Sequence, residues 1–225
     1  MDIAVLGTGM VGQALAGALS RHGHSVVVGT RDPQQTLART EPDGMGNPPF
    51  AAWLAEHADV TLATFAEAAA GAELIVLAGN GFAALDMLTA AGADHLAGKV
   101  VLDISNPLDF SAGFPPSLFV KDTDSLGERL QQAFPQARLV KSLNTLTAAL
   151  MVEPTLLGRS TTVFVSGDDA DAKATVTALL TDFGHDDVID LGGIETARGT
   201  EMLLPLWLRT MNALGTGMFN IKVVR

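Results

Sequence analysis

The chain has no cysteine, and that absence removes disulfides, thiolate nucleophiles and cysteine-ligated metals together. It has no tyrosine either, which excludes the Tyr-Lys proton-donor pair that many ketone-reducing enzymes rely on. Cations are scarce: 14 Lys and Arg stand against 25 Asp and Glu, a formal net charge of −11. None of them cluster, so no nucleic-acid partner is expected. Long apolar runs are missing as well. The stretch 202–208 (MLLPLWL) is far too short to cross a bilayer, so no membrane partner is expected. The N-terminus enters an apolar run with no basic leader before it, and together with the absent cysteines this predicts a cytoplasmic protein.

What is present is organised by the first thirty-one residues. Residues 2–6 (DIAVL) read as a strand covered on both faces, and they lead into Gly7-Thr8-Gly9-Met10-Val11-Gly12, a GxGxxG spacing. Gly7 suits a tight turn, Gly9 a close approach of backbone to a pyrophosphate, and Gly12 close packing of helix on strand. Val11, Ala14, Leu15, Ala18 and Leu19 recur at helical spacing, so a helix follows and offers its first N–H groups to phosphate. The predicted ligand is a dinucleotide. A second strand, 25–28, ends in Gly29-Thr30-Arg31-Asp32. NAD sites place a carboxylate at this strand end, whereas NADP sites omit it and add an arginine. Thr30 and Arg31 suit a 2′-phosphate, and Asp32 before Pro33 reads as a helix cap, so the expected cofactor is NADP(H).

The 225 residues suffice for one compact unit with a small appended portion. Strands and helices alternate from 60 to 104, which predicts an α/β fold with a doubly wound, mainly parallel sheet. Ligands bind outside the carboxyl ends of strands in such sheets. That rule puts Gly79-Asn80, Asn106-Pro107 and Asn144 on the edge that carries the glycine motif, and His22 and His24 on the opposite one. Further expectations are a loop at 41–49, another at 109–122, and a helix over 123–134 capped by Thr123 or Asp124. Lys141 in strand 138–143 is a weak candidate for catalysis or phosphate binding and reads first as an edge-strand charge. Asp168 is expected to cap a helix reaching Phe183, Pro205 to interrupt a helix over 195–214, and 218–224 to form a last strand.

The motifs GTGMVG (7–12), Gly29-Thr30-Arg31, SNPL (105–108), VKSLNT (140–145), VSGDD (165–169) and LPLWLRTMNALGTGMFNIK (204–222) together resemble the NADP oxidoreductases dependent on coenzyme F-420, a deazaflavin. The resemblance covers nearly the whole chain. It implies a Rossmann-type NADP domain over 1–145 and a smaller C-terminal α/β portion over 146–225 that completes the acceptor cleft. By position, it implies Thr8, Met10 and Val11 at the pyrophosphate and Thr30 with Arg31 at the 2′-phosphate. Asn80, Asn106-Pro107 and Asn144 would line the nicotinamide end. One departure is the second half's few cations, chiefly Lys121, Arg129, Arg138, Lys141 and Arg159, which keeps FMN or FAD open as acceptor in place of the phosphorylated, polyglutamylated F-420.

Hydride transfer between stacked rings needs positioning and no acid or base, which fits the absent tyrosine. A small imine or hydroxyacid reductase is the alternative enzyme class, and a non-catalytic NADP-sensing module the alternative outside enzymes. The excess of apolar residues around 202–211, with Leu204, Trp207, Leu208, Met202 and Met211, predicts either a homodimer or a helix buried on all sides.

Overall fold

The computed structural model describes residues 1–42 and 46–225. Strand β1 (Asp2–Leu6) leads into α1 (Met10–Arg21), and β2 (Ser25–Thr30) is followed by the short α2 (Pro33–Leu37) and α3 (Phe50–Ala55). Then come β3 (Val60–Thr64), α4 (Phe65–Gly71), β4 (Leu74–Leu77), α5 (Gly81–Ala91), the one-turn α6 (Ala93–Leu96) and β5 (Val100–Asp103). A small hairpin of β6 (Leu108–Asp109) and β7 (Ser117–Leu118) precedes α7 (Leu126–Ala133) and β8 (Arg138–Ser142). The last third holds α8 (Ala148–Val152), β9 (Val163–Ser166), α9 (Ala170–Asp182), β10 (Val188–Asp190), α10 (Ala197–Met202) and α11 (Leu204–Leu214).

The strands form one eight-stranded sheet in the order β10-β9-β8-β5-β4-β1-β2-β3. From β3 to β8 every pairing is parallel, so the strand order reverses at β1 and β4, where α/β sheets open a ligand crevice. The direction inverts once. β9 lies antiparallel to β8, with Lys141 opposite Ser166, and β10 runs parallel to β9. Helices cover both faces, because successive strand residues point to opposite sides. Ile3, Val5 and Val76 pack with Leu15, Leu19, Leu150 and Val176, while Ala4, Leu6 and Ile75 pack with Phe65, Leu88 and Leu130. The doubly wound, mainly parallel Rossmann sheet expected from the alternation is the observed fold.

Several local expectations are corrected. Ser125, not Thr123 or Asp124, caps α7: its Oγ accepts from Glu128 N (3.1 Å) and donates to Glu128 Oε2 (2.7 Å). The Ser125 backbone N–H donates to Asp124 Oδ1 (2.8 Å), and Asp124 also pairs with Arg129. Asp169 caps α9, because Asp168 Oδ1 is taken by Ile194 N at 2.8 Å. The loop at 109–122 contains the β6–β7 hairpin. Of the loop at 41–49, residues 43–45 lie outside the described residues. The helix over 195–214 is two helices meeting at Leu203, with Pro205 in the first turn of the second. Residues 218–224 are no strand. They follow the start of β9 through Thr162 N to Ile221 O (2.9 Å), but Asn220 Nδ2 takes the Thr162 carbonyl (3.1 Å) that a ladder would use. Asp187 holds the end of this tail, accepting from Lys222 Nζ and Arg225, and these partners with Thr162 keep its carboxyl well below the usual carboxylate range.

Candidate functional site

The site is a row of strand exits that touch one another. Gly7 has φ +129°, and a Cβ there would lie 2.6 Å from Ala78 O, so the β1 turn abuts the β4 exit. Gly7 N also donates to Gly29 O (3.0 Å) at the end of β2. A Cβ on Gly81 would collide with the Asn106 carbonyl, so the β4 exit abuts that of β5. Asn106 Nδ2 donates to Asn144 O (2.8 Å) and Asn144 Nδ2 to Asn106 Oδ1 (3.0 Å), which joins β5 to β8. The predicted residues Gly7, Gly79, Asn80, Asn106, Pro107 and Asn144 thus form one edge. His22 and His24 stand at the opposite edge, where His22 rests against Phe183.

Each glycine of the motif has a distinct surrounding. A side chain on Gly12 would strike the Gly7 carbonyl, so this residue permits the close approach of α1 to β1. A Cβ on Gly9 would meet nothing within 4 Å, so its space opens to whatever binds there. That space is a cavity of about 540 Å³ lined by Thr8, Gly9, Gln13, Thr36, Arg39 and Phe50 among others. Met10 is exposed and Val11 half-buried where α1 begins, so the helix presents its first N–H groups beside Gly9. A larger cavity, about 660 Å³, lies at the other end of the strands. Its lining sets Asp124, Glu128, Asp168 and Asp169 against the single cation Arg138, a poor lining for a polyanion.

At the end of β2, Asp32 accepts from Gln35 N (2.9 Å) with Pro33 in the first helical turn, so its carboxylate serves as the cap of α2. Thr30 is buried, its Oγ1 bonded to Thr36 Oγ1 at 2.9 Å. Arg31 is exposed, and its guanidinium has no partner among the described residues. Sequence reasoning missed Arg39, which lines the Gly9 cavity and is likewise unpartnered among the described residues. The available signal was the Asp32-Pro33 start, since the short helix it launches turns the chain back to the cavity.

The amides at the exits of β4, β5 and β8 are engaged with protein. Asn80 Oδ1 accepts from Phe82 N (2.9 Å) as the cap of α5, and Asn144 Nδ2 reaches Thr200 O (3.1 Å) as well as Asn106. Beneath them Lys141 is 1 % exposed. It is therefore not the edge-strand charge expected from its sequence, because β8 is an interior strand and the ammonium points between layers. Its Nζ meets Asp103 Oδ2 (2.8 Å), Glu201 Oε1 (2.8 Å) and Ser105 O (2.7 Å), which uses all three of its N–H donors. Burial pushes the ammonium's pKa down, but the two carboxylates outweigh it and leave the group above the ordinary lysine value. Asp103 Oδ1 accepts from Ser105 N and Oγ, and Glu201 accepts from Leu126 N and Gly127 N at the start of α7. The charge cluster is fully hydrogen-bonded.

A family profile described as NADP oxidoreductase, coenzyme F-420-dependent, matches residues 2–107. A solved structure of a candidate F-420-dependent NADP reductase from Arthrobacter sp. FB24 is 58 % identical, covers 100 % of both chains and superposes with a TM-score of 0.95. The chain belongs to the coenzyme F-420-dependent NADP oxidoreductase family. It is an NADP-dependent oxidoreductase by that membership. The F-420-dependent NADP reductase of Methanothermobacter marburgensis is 29 % identical over 92 % of this chain and 90 % of its own. Metalloreductase STEAP3 of Rattus norvegicus is 32 % identical over 95 % of this chain, which spans only 39 % of that longer protein.

Two outcomes follow for this family member. Gly9→Val should abolish dinucleotide binding in calorimetry while leaving the thermal melt unchanged, because the new side chain enters open space and meets ligand alone. Normal NADPH binding by that variant would reduce the glycines to a turn. Lys141→Met should cost about 3 to 5 kcal/mol in denaturant unfolding, since it strands two buried carboxylates. The sign with pH is set by the raised lysine value: its contribution is complete below about 10.5, the unfolded value, and is lost only as pH rises through the higher folded one. A Lys141→Met variant as stable as wild type would sink this account.

Proposed function

We propose that the protein transfers a hydride between NADP(H) and the deazaflavin coenzyme F-420, with free FMN or FAD as the lesser acceptors. The observation that carries the reading is the state of Lys141, the catalytic candidate beneath the exits of β5 and β8. Its three N–H donors are all spent on protein acceptors, so it has none to give to a ketone or imine. Ring-to-ring transfer asks for none.

The residues present fit NADP(H). The open space at Gly9 and the start of α1 would take the pyrophosphate, with Thr8, Met10 and Val11 around it. Arg31, beside Thr30, would take the 2′-phosphate, since its fork is free and Asp32 is occupied as a cap. Gly79, Asn80, Asn106, Pro107 and Asn144 would line the nicotinamide end, chiefly through backbone groups, because their amides already bond within the protein. When bound, the nicotinamide supplies the hydride, and the chain's part is to orient and to exclude water. Residues 146–225 complete the acceptor cleft in this reading, as Thr200 beside Asn144 brings α10 to the exits. We further propose a homodimer through α11 and the residues after it, where Leu206 is 63 % exposed and Leu214 and Met218 are exposed as well.

The test is NADPH oxidation with F-420, FMN, FAD and an imine panel side by side. Fastest turnover with F-420 is expected, together with preference for NADPH over NADH that Arg31→Ala erodes by about 1.5 to 3 kcal/mol. Faster turnover with an imine, or equal use of both nicotinamide cofactors, would overturn the reading. For the dimer, light scattering at low micromolar concentration decides, and a clean monomer of 23.4 kDa would refute it.

A further inference from the structure

Aromatic side chains make up only 5 % of this chain, yet an exposed one rests on a half-buried one beside the exits of β4 and β5. Phe82 lies on Phe119 with ring centroids 4.4 Å apart and planes at 31°, and Phe82 remains 58 % exposed. Neither ring is on a free loop. Phe82 N is held by Asn80 Oδ1 at the β4 exit, and Phe119 N donates to Pro107 O (3.0 Å) at the β5 exit. Leu85, one helical turn beyond Phe82 and 47 % exposed, continues the apolar surface along α5.

The geometry points to an aromatic ledge, Phe82 on Phe119, that seats the flat ring of the redox acceptor. It rests on the reading of the function as hydride transfer to a deazaflavin or flavin. Three features carry it. The ledge is contiguous with Asn80 and Asn106-Pro107, the groups assigned to the nicotinamide end, so a ring stacked there lies beside the hydride donor. Its backbone is pinned by hydrogen bonds in advance, so little freedom is lost when a ligand arrives. A flat conjugated ring gains from offset stacking on a pre-ordered phenyl face, whereas a small aliphatic imine or hydroxyacid covers little of it. No charged side chain takes part in the pair, so the ledge selects for ring shape and leaves the acceptor's phosphate to be recognised elsewhere or left in solvent.

The experiment compares wild type, Phe82→Ala and Phe82→Trp in the full chain, each saturated with NADP+, by titration of F-420 and separately of FMN, read by quenching of ligand fluorescence. Steady-state turnover and sedimentation are run on the same preparations. Phe82→Ala is expected to weaken F-420 binding and raise its KM about tenfold, with NADPH affinity unchanged, and Phe82→Trp to restore both. F-420 affinity and KM unaltered in Phe82→Ala, with wild type active, would reject the ledge while leaving the assigned reaction standing. A wild type that turns over neither F-420 nor any flavin would reject the reaction and the ledge together. A dimeric wild type that becomes monomeric on Phe82→Ala, with F-420 affinity kept, would make the patch a contact between copies and overturn the inference.

Discussion

One ammonium buried between two carboxylates holds the site together. Lys141 from β8 meets Asp103 from β5 and Glu201 from α10, and Glu201 also caps the first N–H groups of α7. Two negative charges face one positive, and the remainder is met by the positive end of α7 and by the Ser105 N–H and hydroxyl on Asp103. Taking three ions from water is costly, and such clusters contribute less to net stability than an apolar replacement of the same shape. What this one does contribute is connection. Three elements that are distant in sequence, β8, β5 and α10, converge on one nitrogen, with α7 tied in through Glu201, and the Ser105 carbonyl on that nitrogen belongs to the exit that continues into Asn106 and Pro107.

That dependence explains why the periphery was legible in the sequence and the centre was not. The sheet, most of its helices and the ligand edge follow from apolar runs and glycine spacing, which are local signals, while the start of α7, the break at Leu203 and the tail after 218 do not. The capping of α2 by Asp32 was readable for the same reason, since cap and first-turn proline are adjacent. Lys141 was not readable, because a lysine in a five-residue strand looks alike whether its strand lies at an edge or inside. Its partners stand 38 residues before it and 60 after it, as the separations of Asp103 and Glu201 in the sequence show, and no periodicity links them. The caps at Ser125 and Asp169 were missed on a finer scale. In each case a neighbour of the expected residue makes the cap: Asp124 is taken up by Arg129 and Ser125 N, and Asp168 by Ile194 N, a contact made across 26 residues of sequence.

The chain carries a net charge of −11 and nonetheless belongs to a family that uses a polyanionic cofactor. The resolution is local. Several carboxylates around the strand exits are already engaged: Asp32 caps a helix, Asp103 and Glu201 neutralise Lys141, and Glu128 pairs with Arg198, while Glu41 shares the lining of the Gly9 cavity with Arg39. Two guanidiniums, Arg31 at the end of β2 and Arg39 in the lining of the Gly9 cavity, have no such partner among the described residues. Binding strength is thereby set by which charges are left free at the strand exits and by helix and backbone N–H groups, and total charge is a poor guide to it.

The inversion of direction at β9 is the last constraint. Because β9 runs antiparallel to β8, its beginning, not its end, lies on the ligand edge, and Thr162 there receives the returning tail through Ile221 and Asn220. Had β9 been parallel, a crossover would have returned the chain to the opposite edge, and the tail would have been delivered far from the exits. With the inversion, α10 reaches the edge from the other side and Thr200 O takes Asn144 Nδ2, while Trp207 in α11 stacks on Phe219 of the tail at 5.3 Å. The C-terminal residues thus meet the Asn144 exit through the Thr200 carbonyl, and stacked rings join α11 to the tail behind it. A wall of that composition is neutral and hydrogen-bonded within the protein, so it offers a small anion no charged partner for its carboxylate, which is the physical ground of the proposed transfer between two cofactors.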